Sequence, residues 1–462
     1  MKKIFLVLAV FALVFATAVT TSPVKAVAYG TQFVTSITYQ NVGTAAANIT
    51  IQFYPKANGT PIPVTPAPLA KGAGTSLYVG SVSGLSSGFL GSAVLSSDQP
   101  VVATLVQIGS GTVKNRPLSG AFSVGSNYVL VPTVLKNYFG SNSVFSVQNV
   151  GSAATDVTLK FVPTSGATVT HTVSALPAGS AEYIDMGTFP GITAPTFNGS
   201  VQINTTGSVV ASSMELGTTS DKAYAFEGAT DFASTIFMPS ALCSYNGQTS
   251  WYAVQNTAAG NVGVTVKYSN GKNDGPYTLA PGAKKSFGGC AAGNPAGFIG
   301  SAQIVSTGGD IVAMGKIDGG GLTTAFLGFT DGAQTVALPY VRWTQTRWLD
   351  GTRQRAYIAI QNVGTAPLAA GAAKVEYYDK AGTLVGTHPL AAMAVGGKAN
   401  SNPSTIGAAG AEFGAYPDGS FGGAAVVKGP VGSKLAVVVR IVTYVGGPMV
   451  GEDYQGIPLL TP

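Results

Sequence analysis

Short stretches in which apolar and polar residues alternate recur along the whole chain. They include Ile49 to Phe53, Val157 to Phe161, Val264 to Tyr268, and the pair Val375 and Tyr377. A period of two places the apolar side chains on one face of a β-strand, whereas an amphipathic helix needs a period near 3.6. The pattern therefore predicts strands with one buried face, and no segment of the chain beyond its N-terminus favours a helix.

Each alternating stretch is followed by a turn signal at a similar distance. These signals are Asn58-Gly59, Ser165-Gly166, Asn270-Gly271 and Ala381-Gly382. Asn-Gly between two apolar runs is a strong hairpin signal because both residues accept a positive φ. The strands are therefore predicted to follow one another as antiparallel neighbours.

A Gln-Asn pair marks the same point in four repeats. Gln40, Gln148, Gln255 and Gln361 are separated by 108, 107 and 106 residues, and each precedes an Asn. An apolar residue followed by proline opens the later repeats, at Val131-Pro132, Met238-Pro239 and Leu338-Pro339. We predict four domains, at residues 29–128, 129–235, 236–335 and 336–462, with no flexible linker between them.

About seven short strands per repeat of this length are typical of an immunoglobulin-like β-sandwich. The Asn-x-Gly-Thr-Ala turn with its alternating strand resembles the bacterial immunoglobulin-like repeats of exported surface proteins, including the cell-adhesion-related, CARDB-like class. The third repeat departs from this pattern at Thr257-Ala258-Ala259-Gly260. The resemblance implies an all-β chain of four tandem sandwiches in a rod, and it supplies no catalytic residues.

The N-terminus has the pattern of a secretory signal peptide. Lys2 and Lys3 precede an apolar run that ends near Phe15, which is too short to span a bilayer. Cleavage is predicted after Ala28, with a cut after Ala18 as the alternative. No later apolar run is long enough to cross a membrane, so the mature chain is expected outside the cell or on its surface.

The composition limits the classes of partner. The chain has 61 glycines in 462 residues, and only 10% of its residues are charged, well below the usual quarter. Its formal charge of +6 falls to about +4 when Lys2 and Lys3 leave with the signal peptide. A charge this small and dispersed does not favour nucleic acid.

Two cysteines, Cys243 and Cys290, both lie in the third repeat. An even pair within one domain of an exported protein predicts a disulfide. Closing a loop of this length stabilises a fold by roughly 3–4 kcal/mol in the chain-entropy model. A metal or redox role has less support, because no histidine or further thiol lies near either cysteine.

Catalytic chemistry has little support in the sequence, and no cofactor is predicted. His171 and His388 are the two histidines and lie in different repeats, which leaves surface strand positions as the simpler interpretation. Carboxylates are sparse and are predicted mostly in turns: Asp98, Asp310, Asp418 and the pair Glu452-Asp453. A glycosidase pair built from distant carboxylates stays an alternative that no residue singles out.

One local cluster is unusual. Four of the six arginines and two of the three tryptophans lie between Arg342 and Arg355. The members are Arg342, Trp343, Arg347, Trp348, Arg353 and Arg355. Guanidinium groups and rigid aromatic rings suit a glycan-binding or subunit-contact patch. The alternative is a strand pair in which these side chains pack across the sheet.

The C-terminal residues look like the start of a fifth repeat. Tyr454, Ile457, Pro458, Leu459 and Leu460 are predicted to form a donor strand. If the signal is cut after Ala28, the first repeat has lost its own opening segment with Pro23. Strand addition between copies would then join the two ends into a head-to-tail chain. If the cut follows Ala18, the first repeat is complete and the tail finishes the fourth domain.

These observations lead to three hypotheses. The first is an exported structural or adhesive surface protein that associates with itself, in a filament, sheath or layer. The second is a glycan-binding module centred on the arginine and tryptophan cluster. The third is an enzyme whose site the sequence does not show.

Overall fold

The structure is a computed structural model, and it describes residues 27–110, 113–344, 353–415, 422–444 and 449–459. The regular secondary structure of the described residues is β-strand, apart from three short 3₁₀ helices at Val79–Ser81, Ala291–Gly293 and Pro403–Gly410. The prediction of an all-β chain of sandwich repeats is confirmed. We refer to the four groups of strands as units 1 to 4.

Unit 1 contains seven strands: β1 (Phe33–Asn41), β2 (Ile49–Pro55), β3 (Ile62–Val64), β4 (Gly74–Tyr78), β5 (Gly91–Ser97), β6 (Val101–Gly109) and β7 (Leu118–Gly120). Unit 2 contains β8 (Ser126–Lys136), β9 (Ser141–Asn149), β10 (Thr155–Pro163), β11 (Val169–Leu176), β12 (Ala181–Asp185), β13 (Phe197–Gly217) and β14 (Ala223–Glu227).

Unit 3 contains β15 (Thr235–Cys243), β16 (Thr249–Asn256), β17 (Val262–Tyr268), β18 (Asn273–Leu279), β19 (Lys284–Gly288), β20 (Phe298–Thr307), β21 (Ile311–Gly319) and β22 (Leu322–Leu327). Unit 4 contains β23 (Thr335–Leu338), β24 (Arg353–Asn362), β25 (Lys374–Tyr378), β26 (Leu384–Pro389), β27 (Lys398–Ser401), β28 (Ala424–Lys428), β29 (Leu435–Tyr444), β30 (Met449–Gln455) and β31 (Ile457–Pro458).

Unit 3 shows the common plan. One sheet has the order β15-β20-β17-β18 and the other has the order β19-β16-β21-β22. All pairings are antiparallel. The inward faces of both sheets supply the core, in which Tyr252, Val264 and Ile304 are fully buried. The apolar residues that alternate along β17 face this core, as the period of two in the sequence predicts.

Unit 2 follows this plan with one difference. Its strand β13 runs without a break from Phe197 to Gly217 and belongs to both sheets. The first half of β13 pairs with β8 and β10, and the second half pairs with β9 and β14. The single strand β13 therefore passes from one sheet to the other, whereas unit 3 uses two separate strands, β20 and β21, at this place.

Unit 4 adds the short strand β31 to the plan. Its first sheet has the order β26-β25-β28-β23-β31. Here Ala337 pairs with Ile457, and Val336 pairs with Pro458. Units 2 and 3 have single bridges at the matching place, between Leu130 and Ala229 and between Phe237 and Phe329.

Unit 1 differs because its first sheet has three strands, in the order β3-β2-β5. In the other units the counterparts of β5 each pair on their second side with the opening strand of the unit, which is β8, β15 or β23. Within the described residues no strand pairs with the second edge of β5. The side chains of Ala93 and Leu95 on β5 are half-buried, whereas their counterparts Val201 and Ile203 are fully buried.

The four units form a closed ring. The last strand of the second sheet in each unit contacts its counterpart in the next unit, so that β7 contacts β14, β14 contacts β22, β22 contacts β30, and β30 contacts β7. Val106 and Leu118 of unit 1 belong to the same apolar cluster as Leu338 and Val437 of unit 4. The predicted rod is wrong, because in a rod units 1 and 4 would lie apart.

Candidate functional site

The Asn of each Gln-Asn pair ends a strand in the same way in all four units. In unit 2 the Asn149 amide donates hydrogen bonds of 2.8 Å to the carbonyls of Ala153 and Leu176. Its oxygen accepts one of 2.9 Å from the N–H of Gly151. The counterparts Asn41, Asn256 and Asn362 make the same set of contacts. All four are buried, so they shape the fold and contact no ligand.

In units 2, 3 and 4 the Gln of the pair ties its unit to the unit before it, whereas Gln40 bonds the carbonyl of Gly72 within unit 1. Gln255 donates 2.8 Å to the hydroxyl of Ser200 in unit 2, and Gln361 donates 3.2 Å to the carbonyl of Ala302 in unit 3. Gln148 lies 3.5 Å from the carbonyl of Ala93 in unit 1. The sequence interpretation missed this second role. A Gln recurring beside the Asn in all four repeats was the available signal.

Charged pairs complete the contacts between units. Lys316 of unit 3 lies 2.6 Å from Glu215 of unit 2 and above the ring of Tyr224. Lys56 of unit 1 lies 2.7 Å from Glu182 of unit 2. Since Glu215 is almost fully buried, its pairing with Lys316 offsets the cost of removing the carboxylate from water.

The predicted arginine and tryptophan patch is largely interior in its described part. Arg342 and Trp343 are 4% and 8% exposed. The guanidinium of Arg355 lies 4.9 Å from the Trp343 ring, and Arg342 donates 2.6 Å to the side chain of Gln354. Buried faces are not open to a sugar, so these two residues match the cross-strand packing alternative.

The remaining members of that cluster lie at its border. Arg353 stacks over Tyr444 at 5.1 Å, and both Arg353 and Arg355 are half-buried. Arg347 and Trp348 lie outside the described residues.

The third tryptophan of the chain, Trp251 on β16, is 49% exposed and its ring lies against Gly288. It stands alone in sequence and therefore gave no local signal.

The predicted donor strand is used within unit 4. Tyr454 is the last core residue of β30, with 1% of its surface exposed, and Ile457 and Pro458 pair with β23. The N–H of Leu459 donates to the carbonyl of Thr335 at 2.9 Å. Leu460 lies outside the described residues. The interpretation of this tail as a spare strand is therefore corrected to an edge strand of unit 4.

Cys243 and Cys290 form a disulfide with Cα atoms 4.7 Å apart. It joins the end of β15 to the segment after β19. Since β15 belongs to one sheet and β19 to the other, the bond links the two layers of unit 3.

Both histidines have contacts within their own units. His171 on β11 packs against the ring of Phe189. His388 on β26 bonds Ser401 at 2.8 Å, and burial lowers the pKa of its ring. In the described part of the chain, no group of three or more His, Cys, Asp or Glu side chains is placed to hold a metal ion.

Two carboxylates assigned to turns lie in β30 instead. Asp453 accepts two hydrogen bonds from Arg440, at 2.9 and 2.7 Å, and one from Thr324 of unit 3 at 2.8 Å. Glu452 is 2% exposed, and within the described structure neither carboxylate oxygen has a hydrogen-bond partner. Burial raises the pKa of Glu452 to about 7, and the positive charges of Arg116 and Arg342 oppose that rise.

A large concave surface lies where unit 1 lacks a fourth strand in its first sheet. We call it the unit 1 groove, and its volume is about 2340 Å³. One wall is β5 with residues of the unit 1 core, including the buried Phe53 and the half-buried Phe89. The other wall belongs to unit 2 and includes Val144, Ser146 and Ser212. The tail at Ile457–Leu459 lies at its border.

Units 2 and 3 fill the corresponding place with their opening strands. β8 contacts β16 and β21 of unit 3, and β15 contacts β24 and β29 of unit 4. The unit 1 groove therefore has the two walls between which an opening strand lies elsewhere in the molecule.

Comparisons with known proteins give no family. No family model matches the chain, and no curated protein matches it. Among solved structures, the chain is similar to a tetra-tandem repeat in the extending region of a large adhesion protein, with 12% identity, 91% of this chain and 94% of the other covered, and a TM-score of 0.11. It is also similar to the BSP domain of a biofilm-associated protein, with 9% identity, coverage of 93% and 91%, and a TM-score of 0.14. Superpositions this poor carry no argument about the function of this chain.

Among the described residues, no helix is long and apolar enough to cross a membrane.

Proposed function

We propose that this chain is an exported, non-catalytic structural or adhesive protein of the cell surface. The observation that carries the proposal is that the polar residues repeated along the chain hold the fold together. The four Asn residues end strands inside their units, and Gln148, Gln255 and Gln361 reach the preceding unit. A repeat whose recurring polar groups face inward is suited to rigidity rather than to chemistry.

Two further features support export. The signal-peptide pattern precedes the first unit, and the Cys243–Cys290 disulfide joins the two layers of unit 3. Structural disulfides persist in oxidising compartments outside the cytosol. The resemblance of the turn-and-strand pattern to immunoglobulin-like surface repeats agrees with both.

Head-to-tail assembly through the tail is not proposed, because Ile457 and Pro458 already pair with β23. Self-association through the polar outer faces of the ring stays within the proposal. Glycan binding is the second candidate. Trp343 is buried and does not support glycan binding. Among the described residues, glycan binding is supported by the exposed ring of Trp251, which lies against Gly288.

Surface location is tested by treating intact cells with a protease and following the full-length chain. We expect digestion without lysis, and a chain that resists until the cells are broken would overturn the proposal. Glycan binding is tested on an array with the purified mature chain. Binding that is lost in Trp251→Ala but kept in Trp343→Phe would favour the second candidate.

A further inference from the structure

Unit 1 has a tight turn at the place where a tight turn follows the opening strand in units 2 and 3, but its hydrogen bonding differs. In units 2 and 3 the first and fourth residues exchange two backbone hydrogen bonds, whereas in unit 1 the N–H of Ala28 bonds the carbonyl of Ser220. In unit 2 the N–H of Ser141 donates 3.0 Å to the carbonyl of Tyr138, and in unit 3 Gln248 donates 2.9 Å to Tyr245. In unit 1 the N–H of Thr31 donates 3.1 Å to the carbonyl of Ala28.

Each of these turns has a glycine at its third position. Gly140, Gly247 and Gly30 have φ values of +68°, +76° and +84°, which favour glycine. The three turns therefore share a hydrogen bond from the fourth residue to the first and a glycine at the third position, while Phe139 and Asn246 at the second position of the other two turns also have a positive φ.

Counting back from the turn fixes where the missing strand would lie. β8 ends at Lys136, two residues before Tyr138, and β15 ends at Cys243, two residues before Tyr245. The same count from Ala28 places the end of an opening strand at Ala26. The residues before it, Val19 to Ala26, are Val-Thr-Thr-Ser-Pro-Val-Lys-Ala, and they lie outside the described residues.

The chemistry of this segment matches the wall that it would face. β8 has the apolar run Val129-Leu130-Val131, and the wall of unit 3 beside it has Ala253 and Met314. The matching wall beside the unit 1 groove has Ser146 and Ser212, whose hydroxyls lie 3.5 Å apart. By the same count Val19, Thr20 and Thr21 take the places of Val129, Leu130 and Val131, so two apolar residues are replaced by threonine where the wall is more polar.

We propose that residues 19–26 of the same chain fill the unit 1 groove as the opening strand of unit 1, paired with the second edge of β5. The signal peptide is then cut after Ala18. A cut after Ala28 would divide the turn and remove Ala28 itself, whose side chain is fully buried and whose N–H donates 2.9 Å to the carbonyl of Ser220 in unit 2. The tail does not compete for the groove, because it pairs with β23.

The N-terminus of the mature protein is the first test. Intact-mass measurement of chain purified from exporting cells should give a start at Val19. A start at Tyr29 would overturn the proposal, whatever the cellular location of the protein turns out to be. Surface exposure, by contrast, tests only the proposed function, so the two can fail separately.

Hydrogen exchange of β5 is the second test, on chains that begin at Val19 and at Tyr29. We expect the β5 amides to exchange at least about tenfold more slowly in the longer chain. Adding a peptide of residues 19–26 to the shorter chain should restore much of that protection, and a scrambled peptide of the same composition should not. Equal exchange in both chains would refute the assignment.

If the chain that begins at Tyr29 does not fold, the chain that begins at Val19 still tests the proposal by itself. Its β5 amides should then be protected to the same degree as those of β13, and Thr21→Pro should weaken protection at β5 while leaving β13 unchanged, since proline removes a ladder hydrogen bond. Size-exclusion chromatography should show a monomer. A dimer that disappears on removal of residues 19–26 would mean that a second copy receives the strand, contrary to the proposal.

Discussion

The hydroxyl of Tyr454 donates a hydrogen bond of 2.7 Å to the backbone carbonyl of Tyr340. The two residues are 114 positions apart, and both are buried in unit 4. The bond fastens the end of β30 to the segment that follows β23.

Removing this hydroxyl should weaken unit 4. Tyr454→Phe leaves the buried carbonyl of Tyr340 without that donor, and we expect a loss of about 1–2 kcal/mol in the free energy of unfolding. Denaturant titration followed by fluorescence measures the change. Tyr138→Phe, at a residue that is 37% exposed, is the matched control and should change stability by less than about 0.5 kcal/mol. Equal effects of the two variants would contradict this account of the bond.

The buried Asn149 at the end of β9 should contribute more to the free energy of unfolding than an exposed asparagine does. Asn149→Ala removes three hydrogen bonds at a fully buried position. We expect a loss of about 3 kcal/mol, because the carbonyls of Ala153 and Leu176 lose their partner. Asn204→Ala, at an exposed position on β13, is the control. Chemical unfolding of both variants compares them, and a neutral Asn149→Ala would show that this asparagine is not needed.

Glu452 should make the protein less stable as pH rises from about 4.5 toward neutrality. Burial raises the pKa of its carboxyl from 4.5 to about 7, so between these values the folded chain holds a proton that the unfolded chain has released. Stability therefore falls as pH rises from about 4.5 to 7, by up to roughly 3 kcal/mol for a shift of this size.

Glu452→Gln keeps the shape of the protonated carboxyl and should remove that part of the pH dependence. Melting temperatures at pH 5, 6 and 7 measure it. Measurements end at pH 7 because burial lowers the pKa of Lys398 to about 7, and above that value this lysine changes stability in the opposite direction. Asp231→Asn, at an exposed carboxylate, should keep the slope of the parent. If the slope survives in Glu452→Gln, the assignment to Glu452 is wrong.

The closed arrangement predicts a compact particle in solution. A compact chain of this length has a radius of gyration of about 23 Å, and a rod of four separate units would have roughly 40 Å. Small-angle X-ray scattering of the monomer distinguishes them, and a value near that of the rod would contradict the contact between β30 and β7.

The strands of this protein were predictable because they depend on local periodicity. Ile49, Ile51 and Phe53 alternate with polar residues, and all three lie in the core of unit 1. Turn residues such as Asn270-Gly271 likewise act within a few positions, as does the pairing of two cysteines inside one repeat. These features need no knowledge of distant contacts.

The arrangement of the units could not be read in that way. Whether Trp343 faces water or the core depends on Phe413 and Arg355, which meet it only in the folded unit. The contact of Leu118 with unit 4 joins residues more than two hundred positions apart. Hydrophobic periodicity shows that a side chain is buried, but it does not show which neighbour buries it.

Contacts of one kind between successive repeats have a geometric consequence. Such a head-to-tail contact either continues without limit, which gives a filament, or returns to its start. The contact of β30 with β7 returns it to the start within a single chain. One polypeptide thus has the organisation of a cyclic tetramer whose subunits are covalently joined, with its number of subunits set by the gene rather than by protein concentration.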